Sequence, residues 1–260
     1  MPENNYNLLK LLVGSATPHR FSIIANNLRG MGLDPKIYSL DSPTSRDNHI
    51  VVPFNYHQSK EIWLTANYDT FGNLPSGNNN SSSVVAFLSL AERLKQAALP
   101  VNLRMIFFDR GLDPTLADTG RRNPQFVPGS GVFLRHMIDK EMEFIDSYSG
   151  AITVQAVGKG DLQLFTRTGK RYENSSTLNN AIQAFAKSQG FVIPVADNSP
   201  HADNISLIQE GLDATVLARF DEKSWRKMQT KEDDLTNVNI NLVNDTANFL
   251  YGLVSNWSSS

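Results

Sequence analysis

The chain reads Glu61-Ile62-Trp63-Leu64-Thr65-Ala66-Asn67-Tyr68-Asp69-Thr70 at residues 61–70, an apolar run followed at once by polar residues. The run over 61–66 predicts a buried strand, and the Gly-, Asn- and Ser-rich segment 72–83 predicts a loop. Three consecutive serines at the end of this loop offer N-caps to a helix predicted over 84–98. The apolar run 101–108 then predicts a second buried strand. This strand–loop–helix–strand order is typical of an α/β protein.

The rest of the chain continues this alternation. We predict helices over 5–13, 17–30, 132–141, 175–189, 203–210 and 239–257, and strands over 50–54, 151–157, 161–166 and 212–218. Pro53 cannot donate to a strand ladder, so 50–54 is predicted as an edge strand. Gly158-Lys159-Gly160 predicts a hairpin turn between 151–157 and 161–166, which would make the sheet mixed. We therefore expect a three-layer α/β/α sandwich with a mixed central sheet, in one domain over 1–260 with a surface insertion at about 111–128.

Composition excludes several classes of protein. The 260 residues carry 24 Lys and Arg against 26 Asp and Glu, for a net charge of −2, so no nucleic-acid partner is expected. The chain has no Cys, which excludes disulfides, thiolate zinc sites and a cysteine nucleophile. No apolar run approaches the ~20 residues that span a bilayer, so no membrane partner is expected. No basic segment followed by an apolar core is visible near Met1, and we expect a cytoplasmic protein.

Several common catalytic motifs are missing from the sequence. There is no His-Glu-x-x-His pair, no Gly-x-Ser-x-Gly elbow, no Walker A loop and no Gly-x-Gly-x-x-Gly after a strand. The five His residues are not spaced to share a metal locally. The sequence therefore predicts neither a helical zinc protease site, nor a standard serine hydrolase, nor a nucleotide-binding site.

The segment Leu64–Thr70 nevertheless resembles the two-zinc aminopeptidases of metallopeptidase family 28, a group that extends to glutaminyl cyclases. The family has a strand followed by Ala-His-Tyr-Asp-Ser/Thr, where this chain has Ala66-Asn67-Tyr68-Asp69-Thr70. The likeness continues in order through Gly77–Ala91, similar to Gly-Ala-x-Asp-Asn-Ala-Ser-Gly and an apolar helix, and through Val101–Asp109. It returns at Gly129-Ser130, at Val154–Gly158, around His201 and at Met228–Val238, and so covers roughly residues 5–255.

The resemblance implies a site in which two zinc ions are held by two His and three carboxylates, with a Glu as general base. Carried over position by position, the ligands fall on residues that differ from the family pattern: Asn67, Asn79, Leu112, Gln155 and Gln229. The base falls on Gly111. Asp69 matches the Asp that orients the first His ligand. His201 matches the His of a Ser-Asp-His segment, although the preceding Asp is Pro200 here.

These replacements follow a chemical pattern. Four ligand positions hold Asn or Gln, which can hydrogen-bond to one another without a metal but are poor zinc ligands beside imidazole and carboxylate. We therefore expect a metal-free polar pocket, no catalytic residue and no cofactor, in a catalytically inactive homologue that serves as a binding or scaffold protein, with a peptide or a polar small molecule as the expected ligand. A closed relic site that binds nothing is the alternative for these amides.

Two further expectations concern the acids. A relocated single-metal site of a divergent hydrolase would use Asp109, Asp203 and His201, because His201 and Asp203 share one face if the segment is extended. The run Glu232-Asp233-Asp234 predicts a solvated acidic turn or helix start. The sequence leaves the oligomeric state open.

Overall fold

The computed structural model describes residues 2–41, 46–55, 57–70, 74–111, 128–169 and 171–257. Its strands are β1 Lys36–Asp41, β2 Arg46–Phe54, β3 Glu61–Asn67, β4 Asn102–Phe108, β5 Tyr148–Gln155, β6 Asp161–Thr168, β7 Tyr172–Glu173, β8 Val195–Ser199 and β9 Ala214–Phe220. Its α-helices are α1 Pro2–Val13, α2 Thr17–Gly30, α3 Ser83–Leu94, α4 Gly129–Lys140, α5 Phe144–Ser147, α6 Ser176–Ser188, α7 Asn204–Gln209, α8 Glu222–Lys227 and α9 Ile240–Ser255. A π-helical turn, Gly77–Ser82, precedes α3, and a 3₁₀ turn, Leu235–Asn237, precedes α9.

The strands form one mixed sheet in the order β1-β2-β4-β3-β5-β9-β6-β7, and β8 pairs with β6. The four central strands β4, β3, β5 and β9 are parallel. Antiparallel pairs flank them, β1–β2–β4 on one side and β9–β6–β7 on the other. The parallel strands therefore end together at one edge of the sheet, where binding sites of open α/β sheets lie.

Helices cover both faces of this sheet because successive strand residues point to opposite sides. In β3, Ile62 and Leu64 pack into the core formed with α1, α2, α3, α6 and α9. Trp63, between them, packs on the opposite face with residues of α4 and α5 such as Phe133 and Phe144. This alternation confirms the predicted three-layer α/β/α sandwich.

Two predictions about the sheet are wrong. The 50–54 strand is not at the edge, because β1 pairs with β2 from Lys36↔Val51 onward. Pro53 lies beyond that pairing and opposite Arg104 of β4, so its missing N–H costs no bond to β1. Residues 151–166 do not form a hairpin, since β9 lies between β5 and β6 and pairs with both. The Gly158 N–H donates instead to Asn78 Oδ1 at 2.7 Å, which ties the turn to the segment before α3.

The other predicted elements differ less from the observed ones. The helix predicted over 84–98 ends at Leu94, but it buries Val85, Leu88 and Leu94 as expected. The sequence patterns do not predict strands β1, β7 and β8 or the short helices α5 and α8. The predicted insertion at 111–128 falls almost wholly outside the described residues. Within the described ranges, no helix is both long enough and apolar enough to cross a membrane.

Candidate functional site

Asn67 and Gln155 lie side by side at the ends of two neighbouring parallel strands. The β3–β5 register pairs Thr65 with Thr153, and two more residues along each strand bring Asn67 level with Gln155. Both side chains are largely buried, with 7% of each residue exposed. The strand ends thus place two amides together that are far apart in sequence.

Asn67 is held on two sides. Its Nδ2 donates to Asp69 Oδ1 at 2.9 Å. On another side it contacts Gly111, where an added Cβ would lie 2.8 Å from both Asn67 Cβ and Asn67 Nδ2. The position that the family resemblance assigns to the general base is therefore adjacent to Asn67 and has no room for a side chain as the backbone stands.

Asn79 lies in the π-helical turn before α3 and is only 1% exposed. Gln155 Nε2 lies 3.4 Å from Asn79 Oδ1 and 3.3 Å from the carbonyl oxygen of His201. Gln155 Oε1 is buried and has no hydrogen-bond partner within the described part of the chain. We call Asn67, Asn79 and Gln155 the amide cluster.

Asp233 supports the amide cluster from the loop between α8 and α9. It is fully buried and accepts from the backbone N–H groups of Asn78, at 2.8 Å, and of Asn79, at 3.0 Å. Asn237 Nδ2 donates to it at 2.8 Å. Burial raises the pKa of this carboxyl, although the three donors act in the opposite direction. The prediction that 232–234 is solvated is thus wrong for Asp233, because its oxygens satisfy backbone groups of a buried turn.

Arg20 holds the same region from helix α2 and is also fully buried. It donates to the carbonyls of Pro75, at 2.8 Å, and Tyr68, at 3.3 Å, and to Asn80 Oδ1 at 3.1 Å. Burial lowers its pKa to about 10, while the negative charges of Asp69 and Asp233 act to raise it. Sequence reasoning missed Arg20 and Asp233. No local pattern in the sequence marks either residue, because Arg20 bonds to Asn80 and Asp233 to Asn78, which are 60 and 155 residues away along the chain.

The other predicted site residues are not part of the amide cluster. Gln229 is half-buried with φ of 62° in the loop that carries Asp233, and its side chain makes no hydrogen bond to any described residue. His201 is exposed, and its ring lies beside Gly169 while its carbonyl accepts from Gln155. Leu112 lies outside the described residues.

The acids of the relocated-metal hypothesis have separate surroundings. Asp109 accepts from the backbone N–H groups of Asn48 and Arg110, at 3.0 and 2.8 Å. Asp203 is buried at the start of α7, where desolvation and the charge of Asp69 raise its pKa to about 7 against a hydrogen bond from Ser130. Among the described residues, no three His, Asp or Glu side chains come together as a metal site, so the structure does not group Asp109 and Asp203 with His201.

Comparison with known proteins finds relatives by structure but not by sequence. No family model and no curated protein sequence matches the chain. A glutaminyl cyclase from Bacteroides thetaiotaomicron, solved with N-acetylhistamine, superposes with a TM-score of 0.78 at 15% identity, covering 99% of this chain and 98% of that one. A leucine aminopeptidase precursor from the same organism gives a TM-score of 0.77 with the same identity and coverage.

A third solved structure, a Zn-dependent exopeptidase from Parabacteroides distasonis, has a TM-score of 0.73 at 15% identity over 99% of this chain and 98% of its own. All three similarities extend over almost the full length of both chains. At such low identity they establish the fold and not the activity. The chain thus has the mixed α/β fold that zinc exopeptidases and glutaminyl cyclases share.

Proposed function

We propose that this chain is a metal-free, non-catalytic relative of the zinc exopeptidases and glutaminyl cyclases, and that it acts as a binding protein. The observation that carries the proposal is the hydrogen bonding of the amide cluster. Gln155 donates toward Asn79, and Asn67 donates to Asp69. Of these three positions, which the family resemblance assigns to metal ligands, two thus bond to each other and the third bonds to a carboxylate.

The residues of this site do not fit two zinc ions. Zinc sites of this kind need anionic or imidazole ligands, and amide nitrogens carry no free lone pair for a metal. Asn67 presents its Nδ2 to Asp69, and Asn79 uses its Oδ1 to accept from Gln155. Gly111 supplies no carboxylate to deprotonate a water, and the neighbouring Asn67 occupies the space that a side chain would need. These residues therefore support no catalytic step through a metal.

The same geometry supports a polar ligand at the amide cluster. Gln155 Oε1 has no partner among the described residues, and a buried acceptor left unsatisfied costs about 1–3 kcal/mol. An N–H donor of a ligand would remove that cost. The half-buried Gln229 and the exposed His201 lie in the segments that contact the cluster and would extend such a site toward solvent. A peptide or a polar small molecule with amide N–H groups has the required chemistry.

The catalytic half of the proposal is tested on protein purified without chelators. We expect zinc content far below one equivalent, no hydrolysis of a leucyl reporter and no cyclisation of an N-terminal glutaminyl peptide. General-base help alone is typically worth ~10²–10⁴-fold, and a metal lowers the pKa of its bound water to ~7. Either stoichiometric zinc or activity that a chelator abolishes would overturn the proposal.

The binding half is tested by calorimetric titration with a dipeptide amide such as leucyl-glycinamide. We expect Gln155→Met to weaken binding by about five- to thirtyfold, because it removes the unsatisfied acceptor at similar volume. Gln209→Met, at an exposed position in α7, is the matched control and should bind as the wild type does. Equal affinity of the wild type and Gln155→Met would place the bound dipeptide away from the amide cluster, and no binding at all would argue for a closed relic site; either outcome contradicts the proposal.

A divergent hydrolase is the second candidate, and the raised pKa of Asp203 is the observation that favours it. A carboxyl with a pKa of about 7 suits a general base at neutral pH. Ser130, which hydrogen-bonds to Asp203, is itself buried, and its Oγ also lies 2.9 Å from Ser206 Oγ, so this hydroxyl does not face solvent. Chelator-resistant hydrolysis that Asp203→Asn abolishes would establish this candidate in place of the first.

A further inference from the structure

A cavity of about 680 Å³ lies between β6, helix α6, the segment after it and helix α9. Its lining runs from Asp161 of β6 through Phe185 and the 189–194 segment to Arg219 and the 245–252 part of α9. The described lining includes no member of the amide cluster, and the binding role proposed above does not use it. Its volume falls within the ~300–1,000 Å³ of small-molecule sites.

Aromatic rings form one wall of this cavity. The ring centroid of Phe249 lies 5.4 Å from that of Phe185 and 5.6 Å from that of Phe191. Phe249 is buried, with 8% exposed, whereas Phe191 is 42% exposed at the rim. A ligand with an apolar body would cover apolar surface that now faces water, which favours its binding.

The charged groups of the cavity differ in their interactions with neighbouring residues. Arg219 is largely buried and donates from Nε to Thr246 Oγ1 at 3.1 Å and from Nη1 to the Gly160 carbonyl at 3.0 Å. Asp161 and Asp245 are exposed, and within the described ranges neither forms an ion pair with a Lys, Arg or His. Both nevertheless lie near the guanidinium, since their charges oppose the lowering of its pKa by burial.

The sign of the preferred ligand follows from this arrangement. An anion approaching Arg219 would meet two carboxylates and a guanidinium whose Nε and Nη1 are already engaged. A cation would gain two unpaired carboxylates and a partly exposed aromatic wall, and cations interact favourably with ring faces. We propose that this cavity binds a small organic cation with an aromatic or similarly sized apolar body, of the arylalkylammonium class.

Three probes with the same aromatic body separate the contributions of charge and apolar contact: phenethylammonium, 2-phenylethanol and phenylacetate. Ligand-observed NMR and calorimetric titration on the full chain give their affinities. We expect the ammonium to bind most tightly, the alcohol more weakly and the phenylacetate weakest. The preference of the protein for the ammonium should shrink as salt is added, because both carboxylates are exposed.

Variants assign the effect to this cavity. Asp161→Asn and Asp245→Asn should each weaken the ammonium by about two- to fivefold, the range expected for an exposed ion pair, and leave the alcohol unchanged. Phe191→Ala should weaken all three probes, because it removes apolar contact rather than charge. Asp146→Asn, an exposed carboxylate on α5 at the opposite face of the sheet, is the matched control and should change nothing.

Each alternative outcome overturns the proposal. Equal binding of the ammonium and the alcohol would show an apolar pocket without charge selectivity, and tightest binding of phenylacetate would show an anion site at Arg219. Unchanged ammonium affinity in both Asp variants would place the bound probe elsewhere. The absence of any binding in the millimolar range would show that the cavity takes no ligand of this class.

Discussion

The buried carboxyl of Asp203 should make the stability of the protein depend on pH in an unusual direction. Asp203 is 6% exposed, at the start of α7, with Ser130 as its hydrogen-bonding neighbour and Asp69 as the nearby charge. Its pKa is about 7 in the folded protein against 3.8 for an exposed Asp. The test is the isosteric change Asp203→Asn, which removes the titration and retains a group that can bond to Ser130 Oγ.

The sign follows from the raised pKa. The folded state binds the proton of Asp203 more tightly than the unfolded state, so its stabilising contribution is complete below pH 3.8 and is lost as the pH rises toward about 7. A pKa difference of roughly 3 corresponds to about 4 kcal/mol of unfolding free energy lost above pH ~7. At about pH 5, where the carboxyl is still largely protonated in the folded state, the loss is only about 2 kcal/mol.

Urea unfolding at about pH 5 and about pH 8 measures the effect as a difference between variant and wild type. We expect Asp203→Asn to be more stable than the wild type at the higher pH, and its advantage to shrink by about 2–3 kcal/mol at the lower pH. Taking the difference cancels other titrating groups that both proteins share. Asp146→Asn on exposed α5 controls for the loss of a surface charge. An advantage that is the same at both pH values would show that Asp203 is not the titrating group and would refute the reasoning.

Three further predictions test the surroundings of the amide cluster. Gly111→Ala should cost about 1–3 kcal/mol of unfolding free energy, because the new Cβ would lie 2.8 Å from Asn67 Cβ. Gly14→Ala is the control, since the nearest atom to its new Cβ would be 3.8 Å away. Asp233→Ala should cost about 3–5 kcal/mol and speed amide exchange at Asn78 and Asn79, whereas Glu232→Ala, which is exposed, should do neither. Asn67→His should restore neither zinc content nor aminopeptidase activity, because the amides at 79 and 155 remain; a gain of either would show a site closer to function than proposed.

Local sequence patterns are sufficient to predict much of the fold. Strand β3 and helix α2 were predicted within a residue, since an apolar run and a Pro at the first turn are signals contained in the segments themselves. Strand β8 was missed because Val195–Ser199 is mostly exposed and shows no apolar alternation. The false hairpin at 151–166 depended on β9, which inserts between the two strands from about 50 residues further along the chain.

As with the fold, only some residues of the site are predictable from the sequence. The family resemblance located Asn67, Asn79 and Gln155, which the structure brings to one edge of the sheet. It did not indicate that Asp233 is buried, because the bond from Asn78 to Asp233 spans 155 residues and no local pattern specifies it. Arg20 is comparable, since its partners at Tyr68 and Asn80 lie 48 and 60 residues away. The periodicity of apolar residues in the sequence carries no information about long-range hydrogen bonds to buried charges.

On the function proposed here, charge balance explains why the positions that the family resemblance assigns to metal ligands hold amides rather than other residues. Among the residues that the structure describes, this region already contains three buried carboxyl groups, Asp69, Asp203 and Asp233, against one buried cation, Arg20. Two zinc ions would compensate additional carboxylates, but without them each added carboxylate would raise the pKa values of its neighbours and destabilise the fold. Amides keep the approximate shape of a carboxylate and supply donors as well as acceptors at no net charge. Asp69 and Asp233 remain useful as acids for the opposite reason: each accepts from groups that would otherwise be buried without a partner, the Asn67 amide and the backbone of the turn before α3.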